Sequence, residues 1–221
     1  MNGVISSFFS FFKSLFLPAI CAYCKKFLSQ QVIFCVPCKE KIFPIVSKKI
    51  DITQSVSVTV FAVSDYKDPL KKLILAKGWS DAVASHQMGQ LLWEFTPLQQ
   101  LDCDVIVPVP LHWTRYAWRG FNQAEEIARI IQKKKNIPLL SALKRVKKTA
   151  FQSTLASYMR VENLKEAFAL YKNIDAQQFN GKHILLIDDL MTTGSTISAA
   201  VKKLLELKPR KITVVVVCRV V

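Results

Sequence analysis

One stretch restricts the fold more than any other: Lys182-His-Ile-Leu-Leu-Ile-Asp-Asp-Leu-Met-Thr-Thr-Gly-Ser-Thr196, followed by apolar residues at helical spacing. Ile184 to Ile187 form a continuous β-prone run, the pattern of a parallel strand covered on both faces. Two acids, Asp188 and Asp189, stand where that strand is expected to end, and ligands of open α/β sheets bind at such carboxyl ends. Thr192, Thr193, Gly194, Ser195 and Thr196 then supply hydroxyls and a glycine turn whose backbone N–H groups can converge on an anion. Ile197, Ala200, Val201, Leu204 and Leu205 recur at helical spacing, so the turn falls at a helix N-terminus, where free N–H groups and the dipole favour phosphate. No lysine occupies the position that a Walker A loop needs, which argues against an ordinary ATPase. A threonine-rich turn that merely caps a helix accounts for Ser195 or Thr196. It leaves the two acids unexplained.

A second buried strand is predicted at Val105-Ile-Val-Pro-Val-Pro110, leading through a loop into a helix with Asn122 and Glu125 as an N-cap pair. Ala124, Ile127, Ala128 and Ile131 give that helix one apolar face. The apolar strand, paired aspartates and Thr-Thr-Gly-Ser-Thr resemble the phosphoribosyl pyrophosphate signature of type I phosphoribosyltransferases. Pro108-Val-Pro-Leu111 and Arg119-Gly-Phe-Asn-Gln123 narrow the resemblance to the ComF family of bacterial competence proteins. It implies an α/β, parallel-sheet, type I phosphoribosyltransferase-like domain in which Asp188 and Asp189 bind ribose hydroxyls and Thr192–Thr196 cradle the 5′-phosphate. The loop of Pro110, Leu111 and His112 would receive pyrophosphate, with Arg115 and Arg119 as charge partners, although each arginine also reads as a surface residue. Arg145, Thr149, Gln152, Leu155, Arg160, Asn163 and Ala167-Phe168 fall where the family carries a flexible basic loop, a helix and a return strand. Lys144, Arg145, Lys147 and Lys148 then close over the pyrophosphate, touch a nucleic-acid backbone, or simply form a solvated loop. Local departures are Ser195, where alanine is usual, and Trp113 and Trp118, in a loop usually more charged. Tryptophans in such a chain either stack on bases or pack, and Trp79, Trp93, Trp113 and Trp118 are open to both readings.

Four of the six cysteines form a C-x2-C-x10-C-x2-C array, Cys21, Cys24, Cys35 and Cys38. Each pair is spaced so that a tight turn aims two thiolates at one ion, and four sulfurs complete a tetrahedral Zn²⁺ site with no position left for water. A structural zinc-ribbon module is expected, in a reducing compartment. It serves either as a folding clip or as a nucleic-acid-binding ribbon aided by Lys25, Lys26, Lys39 and Lys41. Cys103 and Cys218 lie in apolar stretches and are expected in the core. His86, His112 and His183 have no spacing that argues for a metal.

The expected organisation is an apolar segment at 1–17, the cysteine module at 18–50, a helical hood-like segment at 51–100 and the core at 101–221. Phe8, Phe9, Phe11, Phe12, Leu15, Phe16 and Leu17 invite a targeting assignment, but Lys13 and Pro18 interrupt a run already too short to span a bilayer. Packing on the main domain, lying in a membrane interface and docking to a partner all remain open. Hydrophobic residues make up 51% of the chain, with six glycines and nine prolines, which excludes disordered and collagen-like classes. Lys and Arg total 31 against 16 acids, a formal charge of +15 that calls for anionic partners or a repelling, soluble surface.

By resemblance, the function is binding of phosphoribosyl pyrophosphate, or a related phosphosugar, in uptake of single-stranded transforming DNA. The setting implied is the cytoplasm, with competence-machinery proteins as further partners; contact with the inner face of the membrane follows only if residues 1–17 take the interfacial one of their three readings. If enzymatic, the chemistry is displacement of pyrophosphate from ribose C1, with Mg²⁺ held on substrate oxygens and catalysis by positioning and electrostatics. A nucleobase phosphoribosyltransferase of salvage and a zinc-ribbon nucleic-acid adaptor with a non-catalytic scaffold are the rivals. The zinc module and basic loop speak against the first, the intact Asp188–Thr196 stretch against the second.

Overall fold

A computed structural model of the chain describes residues 19–30, 32–76, 82–146 and 167–220. The apolar segment 1–17, Trp79, Lys147, Lys148 and the expected residues from Thr149 to Asn163 lie outside them, as does the side chain of Arg119.

The main sheet has five strands in the order β1 (Ile45–Asp51), β2 (Ser57–Asp65), β7 (Lys211–Arg219), β6 (His183–Met191) and β3 (Val105–Pro108). β2, β7, β6 and β3 run parallel, and β1 returns antiparallel to β2 at one edge. The segment 51–100 is therefore not uniformly helical. β2 alternates buried with exposed or half-buried residues from Ser57 to Ala62 and pairs with β7 from Thr59↔Thr213 to Asp65↔Arg219, and only beyond it do α2 (Leu70–Ala76) and α3 (Ala82–Phe95) begin.

The valine- and isoleucine-rich strands bury both faces, as a parallel sheet requires. Val105, Val107, Ile184, Leu186, Val214 and Val216 point to one side, where they meet Ile197, Ala200, Val201 and Leu204 of α6 (Ser195–Leu204). Ile106, Leu185, Ile187, Val215 and Val217 point to the other, against α2, α3 and α5 (Gln123–Lys135). α3 and α5 cross closely at Gly89, where a Cβ would stand 2.8 Å from the Cβ of Ile130. The cysteine module docks on this second face, since Cys21, Phe34, Cys38 and Ile42 share its apolar cluster. Cys103 and Cys218 are buried as expected.

This division of helices positions the site. The chain leaving β6 turns towards α6 on one face, while the chain leaving β3 turns through α4 (Trp113–Arg119) towards α5 on the other. The two connections diverge, and a crevice opens between them at the carboxyl ends of the strands.

Candidate ligand cleft and cysteine centre

β3 and β6 stop pairing at Pro108↔Ile187, whereas β6 and β7 continue to Met191↔Arg219. Asp188 and Asp189 thus lie within β6 rather than beyond it, but on the β3 side they have outrun the neighbouring strand. There a cleft of about 270 Å³ is lined by Pro110, Leu111, Arg115, Gln123, Arg145, Asp188, Asp189, Thr192, Gly194 and Thr196, among others. The turn after β6 alternates. Thr192, Gly194 and Thr196 line the cleft, while the hydroxyls of Thr193 and Ser195 lie 2.7 Å apart. Gly194 is the N-cap of α6 with φ +78°, a conformation that L side chains resist. Space is not what selects it, because a Cβ there would meet nothing closer than Ile50 Cδ1 at 3.4 Å.

Several expected residues stand elsewhere. The loop after Pro110 contains α4, and His112 is its N-cap: buried, accepting from the Thr114 N–H at 3.3 Å, and absent from the cleft's described lining. Asn122 occupies the N-cap of α5, yet its side chain does not cap. Its Nδ2 donates to the Val109 carbonyl at 3.1 Å, tying the start of α5 to the end of β3. Glu125 is engaged instead by Arg129 at 2.6 Å. Lys144 and Arg145 are not loop residues; they belong to β4 (Leu143–Arg145), a short strand antiparallel to β5 (Phe168–Leu170). Pairing carries Arg145 inward to the cleft wall, with its guanidinium over the Phe168 ring. Burial holds its pKa below the usual arginine range and the like charge of Arg115 adds to this, while Asp188 opposes both.

Gln123 was not singled out for a role by its sequence position. It is 1% exposed, lines the cleft, and its Nε2 finds no hydrogen-bond partner among the described residues. A buried amide left unsatisfied costs roughly 1–3 kcal/mol, so this donor is one that a ligand oxygen would relieve. The Asn-Gln pair opening a helix after Gly-Phe was the signal available.

The four cysteines come together on the sheet's second face, where Cys21 and Cys38 join the apolar cluster of α2 and α3. Cys21–Cys24 forms a turn closed by Lys25 N to Cys21 O at 3.0 Å, and Cys35 is the N-cap of α1 (Val36–Lys39), which carries Cys38. All four sulfurs lie within 4.8 Å of one another, with Cys24 and Cys35 at 3.7 Å. A tetrahedron of Zn–S bonds of ~2.3 Å has S···S edges of about 3.8 Å, so the cluster matches that ion in size and donor type. Although burial pushes the Cys21 thiol up, hydrogen bonds from backbone N–H groups of Cys24, Cys35 and Tyr23 outweigh it and bring it to about 6. Cys38 is pushed up to about 12 by burial and by the other three thiols. Four thiolates this close require a cation. Among the described residues no helix is long and apolar enough to cross a membrane.

Parallel sheet, switch-point cleft and four-cysteine cluster define a type I phosphoribosyltransferase-like α/β domain carrying a zinc-ribbon-type module. A sequence profile of the phosphoribosyl transferase domain matches residues 117–220. Over 159 residues, 69% of each chain, the sequence is 38% identical to Competence protein F of Haemophilus influenzae. It is 35% identical over 166 residues to DNA utilization protein YhgH of Escherichia coli, covering 71% of this chain and 70% of that one. Competence protein ComFC of Bacillus subtilis is 38% identical over 104 residues, 46% of this chain and 38% of the relative. The chain belongs to the ComF family.

Proposed function

We propose that the cleft binds phosphoribosyl pyrophosphate and that the protein acts in handling single-stranded transforming DNA. What carries the ligand reading is the meeting, in one crevice, of two adjacent carboxylates with a glycine turn at the N-terminus of a ten-residue helix and with two arginines. Asp188 and Asp189 accept from the ribose 2′- and 3′-hydroxyls. The turn from Thr192 to Thr196 holds the 5′-phosphate on backbone N–H groups and hydroxyls. Pro110 and Leu111 bring backbone to the pyrophosphate, and Arg115 and Arg145, both on the cleft wall, meet its negative charge. The Gln123 amide supplies one further donor. Asp188 and Asp189, the carboxylates among the cleft's described lining, would hold magnesium or its waters, and the ion would supply charge neutralisation at the pyrophosphate.

With sugar and pyrophosphate both fixed, positive charge developing on ribose C1 is stabilised by position and electrostatics, without a protein nucleophile. Zinc is held by Cys21, Cys24, Cys35 and Cys38 in a structural role, since four thiolates leave no open coordination position. The DNA role is supported by the names borne by the relatives and by the +15 charge. The test is calorimetric titration of phosphoribosyl pyrophosphate with Mg²⁺ into the wild-type chain and into the Asp188→Ala/Asp189→Ala variant. Binding by the first and its loss in the second is expected; equal binding by both overturns the reading.

A further inference from the structure

A second cleft, of about 300 Å³, adjoins the first and shares Pro110, Leu111, Asn122 and Arg145 with it. Its walls are the start of α4 and the β4–β5 strand pair, joined by the bridge between His112 and Arg145. Three aromatic rings line it, and all are wet: Trp113 is 70% exposed, Tyr116 48% and Tyr171 46%. Trp113 and Tyr116 stand three residues apart on α4 and so share one side of it, and Trp118, 72% exposed, follows further along the same helix. Lys144 and Arg145 are the cleft's cations, and its one acid among the described lining residues, Glu125, is neutralised by Arg129 at 2.6 Å.

Large aromatic side chains left in water beside lysine and arginine need an occupant that offers flat rings and negative charge together. A second copy of this chain is a poor candidate, because it would bring another +15 to the same surface. A free nucleobase offers rings but no negative charge to set beside Lys144. A single strand of nucleic acid offers both: bases stack on the rings, and phosphates meet the cations.

We infer that the cleft between α4 and the β4–β5 strand pair is a base-stacking site for single-stranded nucleic acid, with Trp113 and Tyr116 as its platform and Lys144 on the strand's phosphates. The inference deepens the proposed DNA role and rests on it. It also sets an unpaired base directly beside the candidate ribose-phosphate cleft.

The test uses fluorescence anisotropy of a labelled short oligothymidylate and of an abasic oligonucleotide of equal length, with the full chain, the Trp113→Ala/Tyr116→Ala variant and the Trp113→Phe variant. Because both rings are exposed, the variants are expected to fold, and thermal melting verifies this. Removing the platform is expected to weaken oligothymidylate binding about tenfold or more, the effect of losing one stacked base. Binding of the abasic strand should stay constant, Trp113→Phe should keep most of the affinity, and phosphoribosyl pyrophosphate affinity should not change. Three results overturn the inference: undiminished oligothymidylate binding by the double variant, equal losses for both strands, or free nucleobases binding where strands do not. A dimer broken by the double variant, with no strand bound, assigns the surface to self-association and equally overturns it. Failure of phosphoribosyl pyrophosphate to bind would count against the ligand reading alone, whereas base-independent DNA binding removes this site and leaves the DNA role standing.

Discussion

Pro108 of β3 pairs with Ile187 of β6, and this is the last register pair between the two strands. The Val109 N–H still donates to the Ile187 carbonyl at 2.9 Å, but Pro110, next in line, has no N–H to donate, so β6 runs on without a ladder partner on that side, and its next two residues are Asp188 and Asp189. Replacing either by asparagine keeps shape and removes charge. Each variant is expected to lose roughly ten- to a hundredfold in affinity for magnesium phosphoribosyl pyrophosphate, the effect of a charge-assisted hydrogen bond worth ~1.5–3 kcal/mol. Melting temperature should hold, and calorimetric titration beside a thermal melt reads both.

Gly194→Ala probes the turn independently of the acids. A left-handed conformation costs an L residue roughly 1–2 kcal/mol, and the site itself has room for a methyl group. Urea unfolding should therefore show a destabilisation of about that size, with weakened ligand binding as the N–H groups of the turn shift. A neutral substitution would mean that the turn adopts another conformation.

Gln123→Leu separates a ligand donor from a packing residue. Since its Nε2 is buried without a described partner, removing it should leave the free protein as stable as before or raise its stability by about 1 kcal/mol. Ligand affinity should fall in the same variant. A loss of stability without loss of affinity would assign Gln123 to the core instead.

How much of this was legible in advance differs by element. Val105–Pro108 and Ile184–Ile187 announce buried parallel strands because every residue is apolar, and the stripe on α6 follows from its period. The strand β2 lies in a segment expected to be helical: its period-two burial holds only from Ser57 to Ala62, after which Ala62, Val63 and Ser64 are all buried and blur it. Lys144 and Arg145 read as part of a flexible basic loop, whether closing over pyrophosphate, touching nucleic acid or simply solvated, because three residues are too few for a period and charge dominates them; pairing with Phe168–Leu170 is a tertiary event. Likewise Asn122 looks like a cap by composition, but the carbonyl of Val109, thirteen residues earlier, competes for its amide. The aspartates and the glycine turn were identifiable as chemistry. Which hydroxyls face inward, Thr192 and Thr196 rather than Thr193 and Ser195, required the fold.

Acid should destabilise the protein in two stages. Burial lowers the pKa of His183, whose Nε2 lies 2.8 Å from Thr213 Oγ1. A depressed folded value means that its contribution is complete above the unfolded value of about 6.5 and is lost as pH falls through the folded one. Asp104 accepts from the His183 N–H at 2.7 Å and pairs with Arg210 at 3.2 Å, and the backbone bond chiefly lowers its pKa. Its contribution is present above about 3.9 and disappears as pH drops further. Denaturant unfolding across pH should show both declines, and His183→Gln should abolish only the upper one.

The cysteine module supplies the last prediction, and its reach extends beyond the metal. Cys21 and Cys38 lie in the same apolar cluster as Leu70, Leu73 and Met88, and Lys39 of α1 pairs with Glu94 of α3. Tyr23, in the turn between the first two cysteines, donates to Asp68 just before α2 and lies under the Lys72 ammonium. Without a cation the four thiols cannot all ionise, so the turn and α1 lose the bonds that hold these side chains in place. Cys35→Ser, or a chelator, is therefore expected to release one zinc per chain and to lower the melting temperature of the whole α2–α3 face. Hydrogen exchange should localise the change: amides of α2 and α3 lose protection, while those of α6, packed on the opposite face of the sheet, keep theirs. Uniform loss across both faces would mean that the module stabilises the sheet itself rather than one of its coverings.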